Sequence, residues 1–240
     1  MGLLDELKEA KTETEHGIIP FPHEDMILYH GSKGGLEGAI APSSRVRCDF
    51  GQGFYMGTDL MQAKSLVSGD DMPYYYKLRF RMSEIPRDRI LVLNDKAWLS
   101  TVLACRRADP EFSALDIAKN ALDRLKQHDV VIGRIADDKM REAISSFTDN
   151  ALTDARLYRC LTCADYGYQI VARTGAACSK IEILEEKRLK GQELQAAVSY
   201  SELKRRESRN IVDQAKREYD GHGHTFYSWI RHEKEQEKRR

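Results

Sequence analysis

Apolar and polar residues alternate near the middle of the chain. From Tyr74 to Met82 every second side chain is apolar, which is the period of a strand with one buried face. Shorter apolar runs predict strands at 26–30, 129–133, 168–174 and 181–184. Helical spacing predicts helices at 3–15, 60–67 (capped by Thr58 and Asp59), 95–107, 111–127, 136–147, 153–163 and from about 198 to Gly221. Strands and helices mixed in this order predict an α+β fold.

Composition indicates a folded protein. The 240 residues are 41% hydrophobic and 32% charged, which is typical of globular chains. We find no apolar run near the roughly 20 residues of a membrane span, and the N-terminal residues lack the apolar core of a secretory signal. The five cysteines are an odd number and fit free thiols in a reducing compartment. We therefore expect a cytoplasmic location and no membrane partner.

Charge is balanced over the whole chain but not along it. From Lys187 onward there are 14 Lys and Arg residues against 9 Asp and Glu, a net charge of +5. We therefore predict an N-terminal helical lead at 1–25, a main domain at 26–190 and a helical basic C-terminal extension at 191–240. The basic run at 204–217 within this extension either tracks nucleic-acid phosphates or is a solvated helix face.

Two short segments carry residue types suited to ligand binding. Tyr29-His30-Gly31-Ser32 closes the first strand, and Gly51-Gln-Gly-Phe-Tyr55 follows about 20 residues later. Glycine lets a backbone approach a ligand closely, and tyrosine offers a flat ring and a hydroxyl. A dinucleotide fingerprint of the Rossmann kind needs a third glycine that opens a helix, which this segment lacks.

The quoted segments resemble a known enzyme superfamily. LYHGS, CDFGQGFYMGTD, the helix that contains Trp98, DVVIGRIADD and YQIVART are similar, in this order, to the ADP-ribosyltransferases of the His-Tyr-Glu type. They are most similar to a bacterial branch, the domains of unknown function numbered 3990. The resemblance covers about residues 26–185. It implies an ADP-ribosyltransferase-like split, mostly antiparallel sheet around an NAD cleft, with flanking helices.

The resemblance also implies roles for individual residues. His30 is expected to hydrogen-bond a ribose hydroxyl of NAD, and the backbone of Gly31 to pair with the nicotinamide carboxamide. Tyr55 is expected to stack on the nicotinamide ring. Ser32 and Gly53 complete the expected NAD-binding set. NAD enters this scheme as a substrate, and no metal is expected.

Gln169 is the third expected catalytic residue, beside His30 and Tyr55. It lies on the predicted strand where many relatives carry a catalytic glutamate. Glutamine can hydrogen-bond a ribose hydroxyl, but it can neither take a proton nor carry a charge. Members of the similar branch often read Asp-Gln at this point, whereas this chain reads Tyr168-Gln169, and this departure leaves the third motif open.

The implied activity is mono-ADP-ribosyl transfer from NAD, a glycosyltransferase reaction, to RNA, DNA or protein. The resemblance suggests the toxin of a toxin–antitoxin or phage-defence system, with an antitoxin protein as partner. Two alternatives remain: an NAD glycohydrolase that uses the same site, and a non-catalytic nucleotide-binding module, which Gln169 permits.

Three further groups have two interpretations each. Asp137 and Asp138 either line the pocket or cap a helix. Glu202 either supplies the missing carboxylate or lies on a solvated helix face. His222 and His224 are spaced as a metal pair, although two ligands do not complete a site.

Overall fold

The fold is described from a computed structural model, which covers residues 24–106, 110–135, 141–163, 167–217 and 222–239. The expected helix at 3–15 lies outside these ranges, and so do Asp137 and Asp138. Free cysteines within them include Cys48, Cys105 and Cys160.

One seven-stranded sheet organises the described chain. Its strands are β1 (Met26–Ser32), β2 (Phe54–Gly57), β3 (Tyr74–Phe80), β4 (Ile90–Val92), β5 (Val130–Arg134), β6 (Tyr168–Ala172) and β7 (Ile181–Arg188). Their order across the sheet is β4-β5-β6-β2-β1-β3-β7. Only β4 and β5 pair in parallel, and the other described pairings are antiparallel. The expected α+β class is confirmed.

Most helices lie near predicted positions, but one predicted helix is divided, and two were not predicted as individual helices. Within the described residues they are α1 (Leu60–Val67), α2 (Asp95–Arg106), α3 (Pro110–Ser113), α4 (Asp116–Gln127), α5 (Arg141–Thr148), α6 (Asp154–Cys163), α7 (Gly175–Cys178), α8 (Gly191–Arg217) and α9 (Phe226–Glu237). The single helix predicted at 111–127 is wrong, because Leu115 has an extended backbone with ψ 145° and divides it. The helix predicted from 198 begins earlier, at Gly191, and α7 and α9 were not predicted as individual helices.

The two residues predicted to cap α1 have separate tasks. The Asp59 side chain accepts a hydrogen bond from the Gln62 backbone N–H at 2.6 Å, which is the expected N-cap geometry. The Thr58 hydroxyl oxygen instead accepts from the Tyr168 N–H at 3.2 Å. Thr58 therefore ties the end of β2 to the start of β6, next to Gln169.

Successive side chains of β2, β4, β5 and β6 enter two different cores, because strand side chains alternate between faces. Leu28, Phe54, Met56 and Ile170 belong to one core. The larger core includes Phe50, Trp98, Val131, Phe147 and Val171. Both C-terminal helices contribute to it, with Val212 from α8 and with Phe226 and Trp229 from α9. The basic C-terminal segment thus contributes its apolar face to the main core.

The sheet is weakly joined between β1 and β2. A single registered pair, Tyr29 with Gly57, connects these strands. β1 instead pairs along its whole length with β3, and β2 pairs with β6 from Phe54 to Gly57. The two halves of the sheet therefore separate next to Tyr29, and this separation leaves room for a cavity.

Candidate functional site

A cavity of about 700 Å³ lies at the β1–β2 junction. Its walls come from β1, β2, β6, α1, α5 and the loop before β2. They include four of the residues expected from the sequence, His30, Gly31, Tyr55 and Gln169. The fold thus brings residues up to 139 positions apart in the chain around one space.

His30 is held as a neutral imidazole. Its Nδ1 lies 2.7 Å from the carbonyl oxygen of Tyr55, and its ring stacks on Phe54 with 4.5 Å between centroids. Burial lowers the pKa of His30, which favours the uncharged form. Because a carbonyl only accepts, Nδ1 carries the proton and Nε2 is left as an acceptor for a ligand hydroxyl.

Tyr55 uses its hydroxyl to hold the loop before β2. The hydroxyl donates to the Gly51 carbonyl at 2.7 Å and accepts from the Phe50 N–H at 3.0 Å. Burial raises the pKa of this phenol, so it stays protonated. The Tyr55 ring packs against the larger core, whereas the ring of His30 contacts Phe54 in the other one.

Gly31 brings α1 close to the end of β1. A Cβ at this position would lie 2.5 Å from the Ala63 carbonyl oxygen, so any larger residue would push the helix away. The other two expected NAD-binding residues are not part of the cavity wall. Ser32 donates its hydroxyl to the Gly35 carbonyl at 2.7 Å, and Gly53 lies where a Cβ would overlap Val171.

Gln169 contacts a buried carboxylate that sequence reasoning did not single out. Its Nε2 donates to Asp49 Oδ2 at 2.8 Å and to the Arg134 carbonyl at 3.0 Å. Asp49 also forms an ion pair with Arg106. Asp49 and Gln169 are only 5% and 7% exposed. The sequence signal was weak, because an aspartate two positions before a glycine in a loop is typical of an ordinary turn.

Basic side chains surround the mouth of the cavity. Lys33, Arg45, Arg47 and Arg106 all line it. Lys33 pairs with Asp70 at 3.0 Å and Arg106 with Asp49, whereas within the described ranges no ion pair is formed by Arg45 or Arg47. Clustered charge of one sign beside low-dielectric walls attracts the opposite charge. The mouth therefore suits an anionic ligand.

The remaining sequence candidates lie away from this cavity. Glu202 is an exposed residue of α8. The His224 ring stacks on His232 with 5.0 Å between centroids, and its Nδ1 lies 3.2 Å from the Ser228 hydroxyl. In the part of the chain that the structure describes, no group of three or more His, Cys, Asp or Glu residues could hold a metal ion.

Fold and site together define an α+β protein with a cavity at the β1–β2 junction, whose wall includes several basic side chains. The chain belongs to the family described as protein of unknown function (DUF3990), whose model matches residues 26–183. This match confirms the resemblance to the domains of unknown function numbered 3990. No curated protein matched the chain, and no solved structure did either. None of the described helices is long and apolar enough to cross a membrane.

Proposed function

We propose that this protein is a mono-ADP-ribosyltransferase that uses NAD as its ADP-ribose donor. One observation carries the proposal: His30, Gly31, Tyr55 and Gln169, each expected from the sequence to contact NAD, line one cavity. Its volume of about 700 Å³ is within the range of sites for cofactor-sized ligands. A mostly antiparallel sheet that opens between β1 and β2 supports an ADP-ribosyltransferase-like fold.

The chemistry requires little covalent help from the protein. The bond between the nicotinamide nitrogen and ribose C1′ breaks, and its electron pair leaves with neutral nicotinamide. A nucleophilic atom of the acceptor then bonds to C1′ and loses its proton. The site must hold the ring and the ribose while positive charge develops on the sugar. Nε2 of neutral His30 and the Gln169 side chain supply acceptors for ribose hydroxyls.

The basic side chains at the mouth of the cavity support an assignment for the diphosphate of NAD. NAD carries two negative charges on its diphosphate, and Arg45 and Arg47 are exposed cations of the cavity wall. Guanidinium groups bind phosphate oxygens in bidentate geometry. We assign the diphosphate to these two arginines and the nicotinamide riboside to the deeper part near Tyr55.

The acceptor is a macromolecule in this proposal, either nucleic acid or protein. The net charge of +5 from Lys187 onward favours nucleic acid, because cationic surfaces bind phosphate backbones. We also propose that the protein is the toxin of a toxin–antitoxin or phage-defence system. In this proposal it acts in the cytoplasm and has an antitoxin partner. This part of the proposal rests on the family resemblance alone.

Incubation of the purified protein with NAD labelled in its adenine part and with total bacterial extract tests the proposal. Leu66→Trp is the blocked variant, because Leu66 lines the cavity from α1 and is 50% exposed. Leu203→Trp is its matched control, because Leu203 is 51% exposed on α8 and does not line the cavity.

We expect label on RNA, DNA or protein with wild type and Leu203→Trp, and none with Leu66→Trp. Release of free ADP-ribose without labelled macromolecule would instead assign the protein as an NAD glycohydrolase. NAD that remains intact with every extract would refute both activities and leave a binding module.

A further inference from the structure

The contacts of Gln169 fix which way its amide points. Its contacting atom lies 2.8 Å from a carboxylate oxygen of Asp49 and 3.0 Å from the carbonyl oxygen of Arg134. Both partners only accept hydrogen bonds, so this atom is the amide nitrogen and both of its hydrogens are used. The Arg134 carbonyl is itself fixed, because it also accepts from the Trp98 indole N–H at 2.8 Å. The amide oxygen of Gln169 is therefore the atom that can accept a hydrogen bond from a ligand in the cavity.

These surroundings favour glutamine over glutamate at position 169. A glutamate would direct a carboxylate oxygen at the Asp49 carboxylate and at a carbonyl oxygen, with no donor from either. Two carboxylates that share a buried site repel each other, and one of them is driven to protonate. The site therefore has no glutamate on β6, but it contains the carboxylate of Asp49.

Asp49 is placed in this site by two independent sets of contacts. Arg106, at the end of α2, forms an ion pair with it. The loop that carries Asp49 is tied to β2 by the Tyr55 hydroxyl through Phe50 and Gly51. Asp49 is 5% exposed, yet it borders the cavity.

We propose that Asp49 is a positioning residue that orients the Gln169 amide and supplies the carboxylate of the site, which is paired with Arg106. The hydrogen-bond acceptor and the carboxylate, which a single glutamate on β6 would combine, are thereby divided between two residues 120 positions apart. This inference rests on the proposed function. In it the amide oxygen of Gln169 accepts a hydrogen bond from a ribose hydroxyl of NAD, while the Asp49–Arg106 pair keeps that oxygen in place.

A charge-exchange cycle tests the inference. The variants are Gln169→Glu, Asp49→Asn and the double variant Asp49→Asn/Gln169→Glu, in which an amide and a carboxylate again face each other. Gln192→Glu, an exposed change at the start of α8, controls for the added charge. For each we would measure kcat and KM for NAD consumption well below the melting temperature, and the melting temperature itself.

We expect Gln169→Glu to lower kcat about 100-fold, the loss typical of one misplaced site group, and to lower the melting temperature. The double variant should have a kcat at least about tenfold higher than that of Gln169→Glu, and a higher melting temperature, because an amide and a carboxylate again face each other at positions 49 and 169. Asp49→Asn alone should lower kcat with a smaller change in KM, since it disturbs orientation rather than NAD binding. Gln192→Glu should behave as wild type.

A Gln169→Glu variant as stable and as active as wild type, or more active, would overturn the inference. So would a double variant no better than Gln169→Glu in both measurements. If wild type leaves NAD intact, the proposed function fails and the catalytic part of the inference fails with it. The melting temperatures of wild type and the four variants then decide separately whether Asp49 holds Gln169.

Discussion

Tyr55→Phe removes the hydroxyl with which β2 holds the loop that carries Asp49. It leaves two backbone groups without their partner, the Phe50 N–H at 3.0 Å and the Gly51 carbonyl at 2.7 Å. The Phe50 side chain is wholly buried, so water reaches this N–H poorly. An unsatisfied buried polar group costs about 1–3 kcal/mol. We expect Tyr55→Phe to lower the free energy of unfolding by about 2 kcal/mol.

Urea unfolding followed by circular dichroism measures this loss, and a thermal melt should show a fall of roughly 4–8 °C for a chain of this size. Tyr227→Phe is the matched control, because Tyr227 is 45% exposed and an exposed change of this kind usually shifts stability by less than about 0.5 kcal/mol. If Tyr55→Phe were as stable as Tyr227→Phe, the Tyr55 hydroxyl would not be the group that holds the loop.

Three other predictions follow from single contacts and charges. Gly133→Ala should cost about 1–3 kcal/mol in urea unfolding, because its Cβ would lie 2.6 Å from the Phe50 ring; unchanged stability would contradict the packing described there. Burial lowers the pKa of His30, so the unfolded chain binds a proton more readily and stability should fall as the pH drops below about 6.5. His30→Gln should show a smaller fall in melting temperature over that pH range, and an identical fall would refute a neutral His30. Arg45→Ala/Arg47→Ala should weaken NAD binding at low salt and less so at high salt, since salt screens exposed charges; equal affinity to wild type at low salt would exclude these arginines from the diphosphate site.

Local patterns were sufficient for the long, regular elements. The alternation at 74–82 predicted β3, because its inward face, with Tyr76, Leu78 and Phe80, is fully buried. β2 was not predicted as a strand, since Gly53 and Gly57 lower the strand propensity of its short segment. Its strand conformation depends on pairing with β6, more than 110 positions away. β4 is three residues long and likewise depends on its distant neighbour β5.

The candidate site was predictable only where its residues belong to local sequence motifs. His30 and Tyr55 belong to short motifs of distinctive residue types, and the fold brings both to one cavity. Asp49 lies in the second of these motifs, but its pairing with Gln169 and Arg106 joins segments that no local spacing relates. Ser32 and Gly53, also expected to bind NAD, do not line the cavity. The Ser32 hydroxyl donates to the Gly35 carbonyl, and Gly53 packs closely against Val171.

The most direct test of the account is calorimetric titration of NAD into wild type, Leu66→Trp and Leu203→Trp. The account predicts saturable binding to wild type and to Leu203→Trp with similar affinity, and a loss of at least about tenfold, equal to 1.4 kcal/mol, in Leu66→Trp. Absence of NAD binding to the folded wild type, or equal binding to all three proteins, would contradict the claim that the cavity between β1 and β2 is the NAD site.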